Sequence, residues 1–213
     1  MEIQKRDCGI KIKFYDLGAG WLNMDFDIEN KHFTFSSSDC CGDGLEDLIN
    51  AIFQLNPTLD TCETDFNIVF KTMKHKIDGE ELDLEIPLLT DLAFNEEPSS
   101  IYWKFEREET ADIDCNLKIH LSINREKTED YDFTVRYKDF CYALAKACTE
   151  MLKEYGIIGY RKSYWRDDFP LRQFLRIKAI ALNDFSCIDT IYDKNHGERS
   201  NLNKEIEFLL LDM

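Results

Sequence analysis

Cysteine and histidine are the residue types in this chain whose side chains most readily serve as nucleophiles, bases or metal ligands. The 213 residues include eight cysteines and four histidines. The histidines lack the close pairing that zinc-binding motifs show; they are His32, His75, His120 and His196. His120 falls on the polar side of an alternating stretch, which predicts an exposed side chain. The sequence therefore predicts no metal site and no cofactor.

A catalytic Cys–His pair is the main enzymatic alternative, because such pairs assemble from distant parts of a chain. No cysteine here carries a local signature of a nucleophile, and no catalytic residue is predicted. A cryptic enzyme of unknown reaction stays open as an alternative. Its site would lie near the loop 39–43, or between the sheet and the turn at Trp165.

That loop, Asp39-Cys40-Cys41-Gly42-Asp43-Gly44, has the glycines of an ion-binding loop but little else of one. It lacks the lysine and the spacing of a phosphate-binding loop, and its two aspartates would repel phosphate. It also lacks the twelve-residue pattern of a calcium loop. Asp43 and Glu46 have the spacing of a helix capping box. We therefore interpret the loop as a turn that leads into a helix.

Charge gives a stronger signal than any motif. The chain has 42 acidic and 26 basic residues, a net charge of −16, which argues against nucleic acid as a partner. Thirteen acidic residues lie between Asp78 and Asp114, against only Lys104 and Arg107. Such a segment is either a solvated face or a docking surface for a basic protein. The predicted partner-binding residues are Glu80, Glu81, Asp83, Glu96, Glu97, Glu106, Glu108, Glu109 and Asp112.

The location predicted from the sequence is the cytoplasm. The N-terminal MEIQKRDCG has no apolar signal region, and no apolar run reaches the length of a membrane span. Cys115, Cys141 and Cys148 fall at core-like positions of predicted elements. We therefore expect reduced thiols that act as small apolar side chains.

Alternating apolar residues predict most of the elements that would position these groups. Residues 10–14, 22–28 and 33–35 predict a three-stranded antiparallel meander, and a helix follows from Leu45 to Leu55. Further strands are predicted at 66–73, 82–86, 102–107, 113–123 and 133–137, with Asp78-Gly79 as a hairpin turn. The tail from Asp184 has no clear assignment, although its apolar residues 206–211 must pack somewhere.

Two helices are predicted in the C-terminal half. The first runs to Gly156, a residue suited to the left-handed conformation that ends helices. The second has Asp168 as its N-cap and Pro170 in its first turn, and Lys178 is expected to bury only its stem. Between the two helices stand four aromatic residues: Tyr160, Tyr164, Trp165 and Phe169. They form either a plug that closes the core or a recognition surface beside a basic patch of Arg161, Lys162, Arg166, Arg172 and Arg176.

Together these elements predict a single α+β domain over residues 1–213. Its architecture would be a mostly antiparallel sheet of about seven or eight strands, with about three helices packed on one face.

Three local patterns resemble those of small, acidic, uncharacterised bacterial protein families. They are Ser38-Asp39…Gly42-Asp43-x-Leu45-x-x-Leu48-Ile49-x-Ala51, then Glu97-Pro98 ahead of the strand with Trp103, and Trp165…Phe169-Pro170-Leu171 after the long helix. The resemblance covers about half the chain and supplies no catalytic residues. In character it is similar to immunity proteins of toxin systems.

That resemblance implies a non-catalytic protein-binding module that neutralises a basic toxin domain. The charge pattern is compatible with the same function. Besides the cryptic enzyme, a structural homo-oligomeric subunit remains an alternative.

Overall fold

The computed structural model describes residues 9–38, 44–56, 69–77, 80–96, 99–110, 112–165, 168–186, 191–193 and 197–213. The strands are β1 Ile10–Gly18, β2 Trp21–Ile28, β3 Lys31–Ser38, β4 Val69–Ile77, β5 Glu80–Glu96, β6 Ser99–Arg107, β7 Asn116–Asn124, β8 Thr128–Arg136, β9 Ile191–Asp193 and β10 Gly197–Arg199. The helices are α1 Gly44–Gln54, α2 Tyr137–Tyr164, α3 Leu171–Leu182 and α4 Leu202–Leu210.

The described strands form antiparallel sheets in simple hairpin order. One sheet has three strands, β1-β2-β3, a second has five, β4-β5-β6-β7-β8, and β9 and β10 form a short pair. The α+β class is therefore confirmed. The single sheet of seven or eight strands with three helices was wrong. Alternation shows which face of a strand is buried, but it does not show which strands pair edge to edge.

The two larger sheets meet face to face through aromatic side chains. The Phe26 and Phe35 rings lie 5.1 and 5.8 Å from the Trp103 ring. Phe33 packs edge-on against Phe133 at 5.9 Å. All five of these side chains are buried. The polar alternates of each strand consequently point to the outer faces of the two sheets.

Helix α2 packs its apolar stripe against β1 and the five-stranded sheet, with the Phe140 ring 5.5 Å from Phe105. Gly156 has the predicted positive φ, 68°, and because its ψ of 167° is also not helical, the first helical part of α2 ends there, as predicted. Helical turns resume at once and continue to Tyr164. This second part of α2 packs against the core through the buried rings of Tyr160 and Tyr164, which lie one turn apart.

Helix α3 begins without the predicted cap. Pro170, not Asp168, occupies the N-cap position, and no side chain caps the helix there. Phe169 and Pro170 are both buried. Packing of these two residues fixes the start of the helix, which a capping pattern alone does not reveal.

Lys178 of α3 is buried to its ammonium group, contrary to the prediction that only its stem is buried. Its Nζ donates to Thr149 Oγ1 at 3.4 Å, to the Leu209 carbonyl at 3.2 Å and to the Leu211 carbonyl at 2.6 Å. The last two acceptors lie at the C-terminal end of α4. A cation there satisfies carbonyls that the helix leaves open, and it holds the C-terminal tail that the sequence left unassigned.

None of the helices in the described parts of the chain is long and apolar enough to cross a membrane.

Candidate functional site

The outer face of the five-stranded sheet presents rows of polar side chains. Register places Asp91, Lys104, His120 and Asp132 side by side across β5 to β8. A neighbouring row brings Glu106 next to Lys118. The residues of these rows are exposed or half-buried, as the strand alternation predicts.

His120 lies in a shallow depression of about 650 Å³ on this face. Its Nδ1 is 2.9 Å from Asp132 Oδ1, and its Nε2 is 3.9 Å from Asp130 Oδ1. The Lys118 ammonium donates to Glu106 at 2.9 Å, and this bond raises the pKa of Lys118. The histidine side chain is 39% exposed, which agrees with its predicted position on the polar face. The depression is an open charged surface in which cations and carboxylates already pair.

Chemistry by a Cys–His pair finds no support in the described side chains. Cys115, Cys141 and Cys148 are free thiols inside the core, and burial raises the pKa of each. The two histidines with described side chains, His32 and His120, lie on outer faces instead. Within the described ranges no group of three or more potential ligands could hold a metal ion.

The two enzyme locations considered above differ in what the structure says of them. Loop 39–43 lies outside the described residues, as does the Asp43 cap. The region between the sheet and the Trp165 turn is filled by aromatic side chains. Tyr160, Tyr164 and Phe169 are buried there, with Tyr160 packed edge-on against Phe169 at 5.4 Å. The plug is confirmed for these three residues, whereas Trp165 is 62% exposed.

The predicted acidic residues lie at three places along the five-stranded sheet. The first half of β5 pairs with β4 beyond the end of β6, and it carries Glu80, Glu81 and Asp83, which lie about 20–30 Å along β5 from Leu89, the residue opposite Glu106. Glu106, Glu108, Glu109 and Asp112 lie at the end of β6 and in the connection to β7. Glu96 lies opposite Ser99, about 23 Å along the strand from Glu106. Glu97 lies outside the described residues.

The connection between β6 and β7 holds the densest of these acidic groups. We call it the acidic loop: Glu108, Glu109, Asp112 and Asp114, which are all exposed. Backbone and side-chain hydrogen bonds shape it. Glu108 Oε2 accepts from the Asn116 amide at 3.1 Å, and Asp112 Oδ1 accepts from the Asp114 amide at 2.9 Å. Arg136 pairs with Asp114 at 3.0 Å.

Arg107 lies buried beneath this loop. Its Nη2 donates to the Thr110 carbonyl, while Nε and Nη1 have no hydrogen-bond partner in the described structure. Burial lowers the pKa of Arg107, and nearby Cys115, Tyr137, Asp112 and Glu108 oppose that shift. The guanidinium keeps its charge because an arginine does not deprotonate in proteins. The loop therefore covers a buried cation whose donors are only partly used.

The structure also shows an acidic group that was not predicted. Glu126, Glu129, Asp130 and Asp132 line the β7–β8 turn and the exposed part of β8. Arg125 and Lys127 lie among them in sequence, which lowers the local net charge and hides the group. The sequence signal that could have revealed the group is the alternation of Asp130 and Asp132, which places both carboxylates on one face of β8.

No protein-family profile matches the chain, and neither a curated protein nor a solved structure gives a significant match.

Proposed function

We propose that this protein is a non-catalytic cytoplasmic binding module that docks a basic protein on the acidic loop of its five-stranded sheet. The observation that carries the proposal is the acidic loop. Four exposed carboxylates lie within seven residues there, in a backbone held by its own hydrogen bonds. A surface that is already ordered loses less conformational entropy when a partner binds.

The chemistry of the partner follows from charge. At low salt, where screening is weak, the net charge of −16 attracts a cationic protein, and the acidic loop gives that attraction a place to dock. Four of the nine predicted partner-binding residues lie in the acidic loop or directly before it: Glu106, Glu108, Glu109 and Asp112. The field of the loop would mainly increase the association rate.

Within this function, the resemblance to immunity proteins favours a toxin domain as the partner. A nuclease domain is a suitable candidate, since proteins that bind nucleic acid carry basic surfaces. An acidic protein that covers such a surface would compete with the nucleic acid. Inhibition would then require occlusion alone and no chemistry from this chain.

The first step of the test is to isolate the partner. A tagged form of the protein is incubated with native lysate at low salt, eluted by a salt step and analysed by mass spectrometry. The proposal expects a basic protein in stoichiometric amount. Recovery of no basic protein by a folded sample would contradict it.

The second step locates the surface with two double variants of equal net charge. Glu109→Lys with Asp112→Lys alters the acidic loop, whereas Glu126→Lys with Glu150→Lys alters exposed sites elsewhere. Stopped-flow association at low salt should slow about 10-fold for the first variant and less than about 2-fold for the second. Equal slowing would show that net charge acts without a docking site. Unchanged folding is checked by circular dichroism.

A further inference from the structure

A second surface of the protein combines exposed aromatic and aliphatic side chains with positive charge. Trp21 is 52% exposed, Trp165 62% and Ile158 73%, which is unusual for such large apolar groups. Arg161 and Lys162 lie between the last two in sequence and are also exposed. We call this the aromatic surface: Trp21, Ile157, Ile158, Arg161, Lys162 and Trp165.

Helical periodicity and one turn assemble this surface. In the second part of α2, Tyr160 and Tyr164 point into the core, so the residues on either side of them point outward. The β1–β2 turn is tied to the same segment, because the Gly20 amide donates to the Ser163 carbonyl at 2.9 Å. The Leu17 amide also donates to the Tyr155 hydroxyl at 3.3 Å. Trp21 follows Gly20 directly, and Trp165 lies two residues after Ser163, so this hydrogen bond brings the two tryptophans near each other.

Trp165 occupies a backbone conformation that disfavours it. Its φ of 67° places it in the left-handed region, where glycine or asparagine is usual and a bulky residue is an outlier. Burial of the ring does not compensate, because most of the side chain faces solvent. Neither the local backbone nor the core accounts for a tryptophan at this position. Backbone outliers of this kind often occur at binding sites.

Charge identifies the kind of partner that this surface fits. The segment Ile157–Trp165 contains two exposed basic residues, Arg161 and Lys162, and no acidic one, in a chain with a net charge of −16. Tryptophan and arginine are also the residue types that most often dominate binding at protein interfaces. We propose that the aromatic surface binds an acidic peptide segment of a partner protein. An apolar side chain of that segment packs on Trp165 and Trp21, and its carboxylates meet Arg161 and Lys162.

An anionic lipid bilayer fits this surface less well. A bilayer presents charge over the whole footprint of the protein, so the excess of acidic residues elsewhere would be repelled. A peptide contacts only the local positive field, since exposed charges are screened beyond about 8 Å at physiological salt. The proposal does not depend on the acidic loop or on its partner.

The test uses a random dodecapeptide library displayed on phage and the purified full-length protein. Phage are first depleted on the Trp165→Gly variant, whose glycine suits the left-handed backbone, and then selected on the unaltered protein. Depletion removes peptides that bind the acidic loop. The proposal expects the selected peptides to combine Asp or Glu with an aromatic or aliphatic residue.

Synthetic copies of the selected peptides are then titrated by fluorescence anisotropy. Binding should weaken at least 10-fold for Trp21→Ala and at least 3-fold for Lys162→Glu, two variants that take no part in the selection. It should stay unchanged for Leu202→Ser, which removes an apolar side chain that is 66% exposed on α4. Failure to enrich peptides, enrichment without acidic residues, or equal binding to Trp21→Ala would overturn the proposal.

A parallel sedimentation assay uses vesicles of phosphatidylserine and phosphatidylcholine. The proposal expects the protein to remain in the supernatant. Sedimentation that is lost in Trp165→Gly would overturn the peptide assignment in favour of a lipid surface.

Discussion

The acidic loop covers one buried cation, Arg107, and the helices α2, α3 and α4 enclose another, Lys178. The two cations differ in how well their hydrogen bonds are satisfied. Beneath the acidic loop, two donor nitrogens of Arg107 have no hydrogen-bond partner among the described residues. Between α2, α3 and α4, Lys178 donates to three oxygens, and the Phe174 and Phe208 rings lie within 6 Å of its ammonium group. A buried charge stabilises a fold only when its hydrogen bonds are satisfied. By this criterion Lys178 stabilises the fold, whereas Arg107 contributes less to its stability.

The largest effect should come from Lys178→Met. The substitution keeps the apolar stem but leaves the Leu209 and Leu211 carbonyls without their donor. We expect the free energy of unfolding to fall by about 3 kcal/mol, as measured by urea denaturation. Hydrogen exchange in α4 should also become faster. Lys153→Met, at the exposed Lys153–Asp212 pair, is the control and should change stability by less than about 0.5 kcal/mol. Equal losses of stability for Lys178→Met and Lys153→Met would contradict a special role of the buried Lys178.

Ser37→Ala should have the next largest effect, because Ser37 of β3 connects that strand with α1 and α2. Its buried Oγ accepts from the Gly44 amide at 3.1 Å and lies 2.8 Å from the Tyr164 hydroxyl. Loss of this hydroxyl leaves both partners buried and should cost about 1.5 kcal/mol of unfolding free energy. Ser36→Ala, on the solvent side of the same strand, should cost clearly less. A smaller loss for Ser37→Ala than for Ser36→Ala would contradict this.

Arg107→Met should act in the opposite direction to Lys178→Met. Replacing an incompletely paired buried cation by an apolar side chain of similar length is often neutral or stabilising. We expect a gain of about 1 kcal/mol in thermal or urea unfolding. A loss above about 2 kcal/mol would show that the hydrogen bond to Thr110 and the attraction of Asp112 and Glu108 outweigh the cost of burying Arg107, and it would end the contrast. Arg136→Met, at the exposed pair with Asp114, serves as the reference and should change little.

Trp165→Gly should have the smallest effect on stability, and it too should be a gain. Glycine adopts the left-handed conformation without steric cost, while the exposed ring contributes little burial. We expect about 0.5 kcal/mol by chemical denaturation. Trp21→Ala, whose backbone is an ordinary strand, should not stabilise. Destabilisation by Trp165→Gly would mean that the ring supports the fold, and it would weaken the case for the aromatic surface.

The elements that the sequence predicted well depend on local periodicity. The β1–β3 meander, α1 and the strand at 113–123 follow apolar spacings of two or three to four residues, which a single segment displays. The positive φ of Gly156 followed from residue type alone. Contacts between distant segments were not visible in this way. The burial of Lys178 depends on carbonyls of α4 about thirty residues away, and Pro170 begins α3 because tertiary packing replaces a cap.

The acidic site shows the same limit. The segment Asp78–Asp114 is continuous in sequence, but β5 and β6 form a hairpin that separates Glu96 from Glu106. Arg107 looked like a neutralising surface charge, whereas it is buried beneath the loop. Its position at the end of β6 follows the inward alternation of Ile101, Trp103 and Phe105. The alternation along β6 therefore indicated a buried position at residue 107. The charge of the arginine argued for an exposed side chain and masked that indication.

Hydrogen exchange of the complex with the basic partner captured at low salt would show whether the acidic loop is the docking surface. We expect the partner to slow amide exchange in residues 108–114 of the acidic loop and to leave residues 157–165 of the aromatic surface unchanged. Protection confined to 157–165, or to the outer face around His120, would contradict the assignment of the acidic loop as the docking surface.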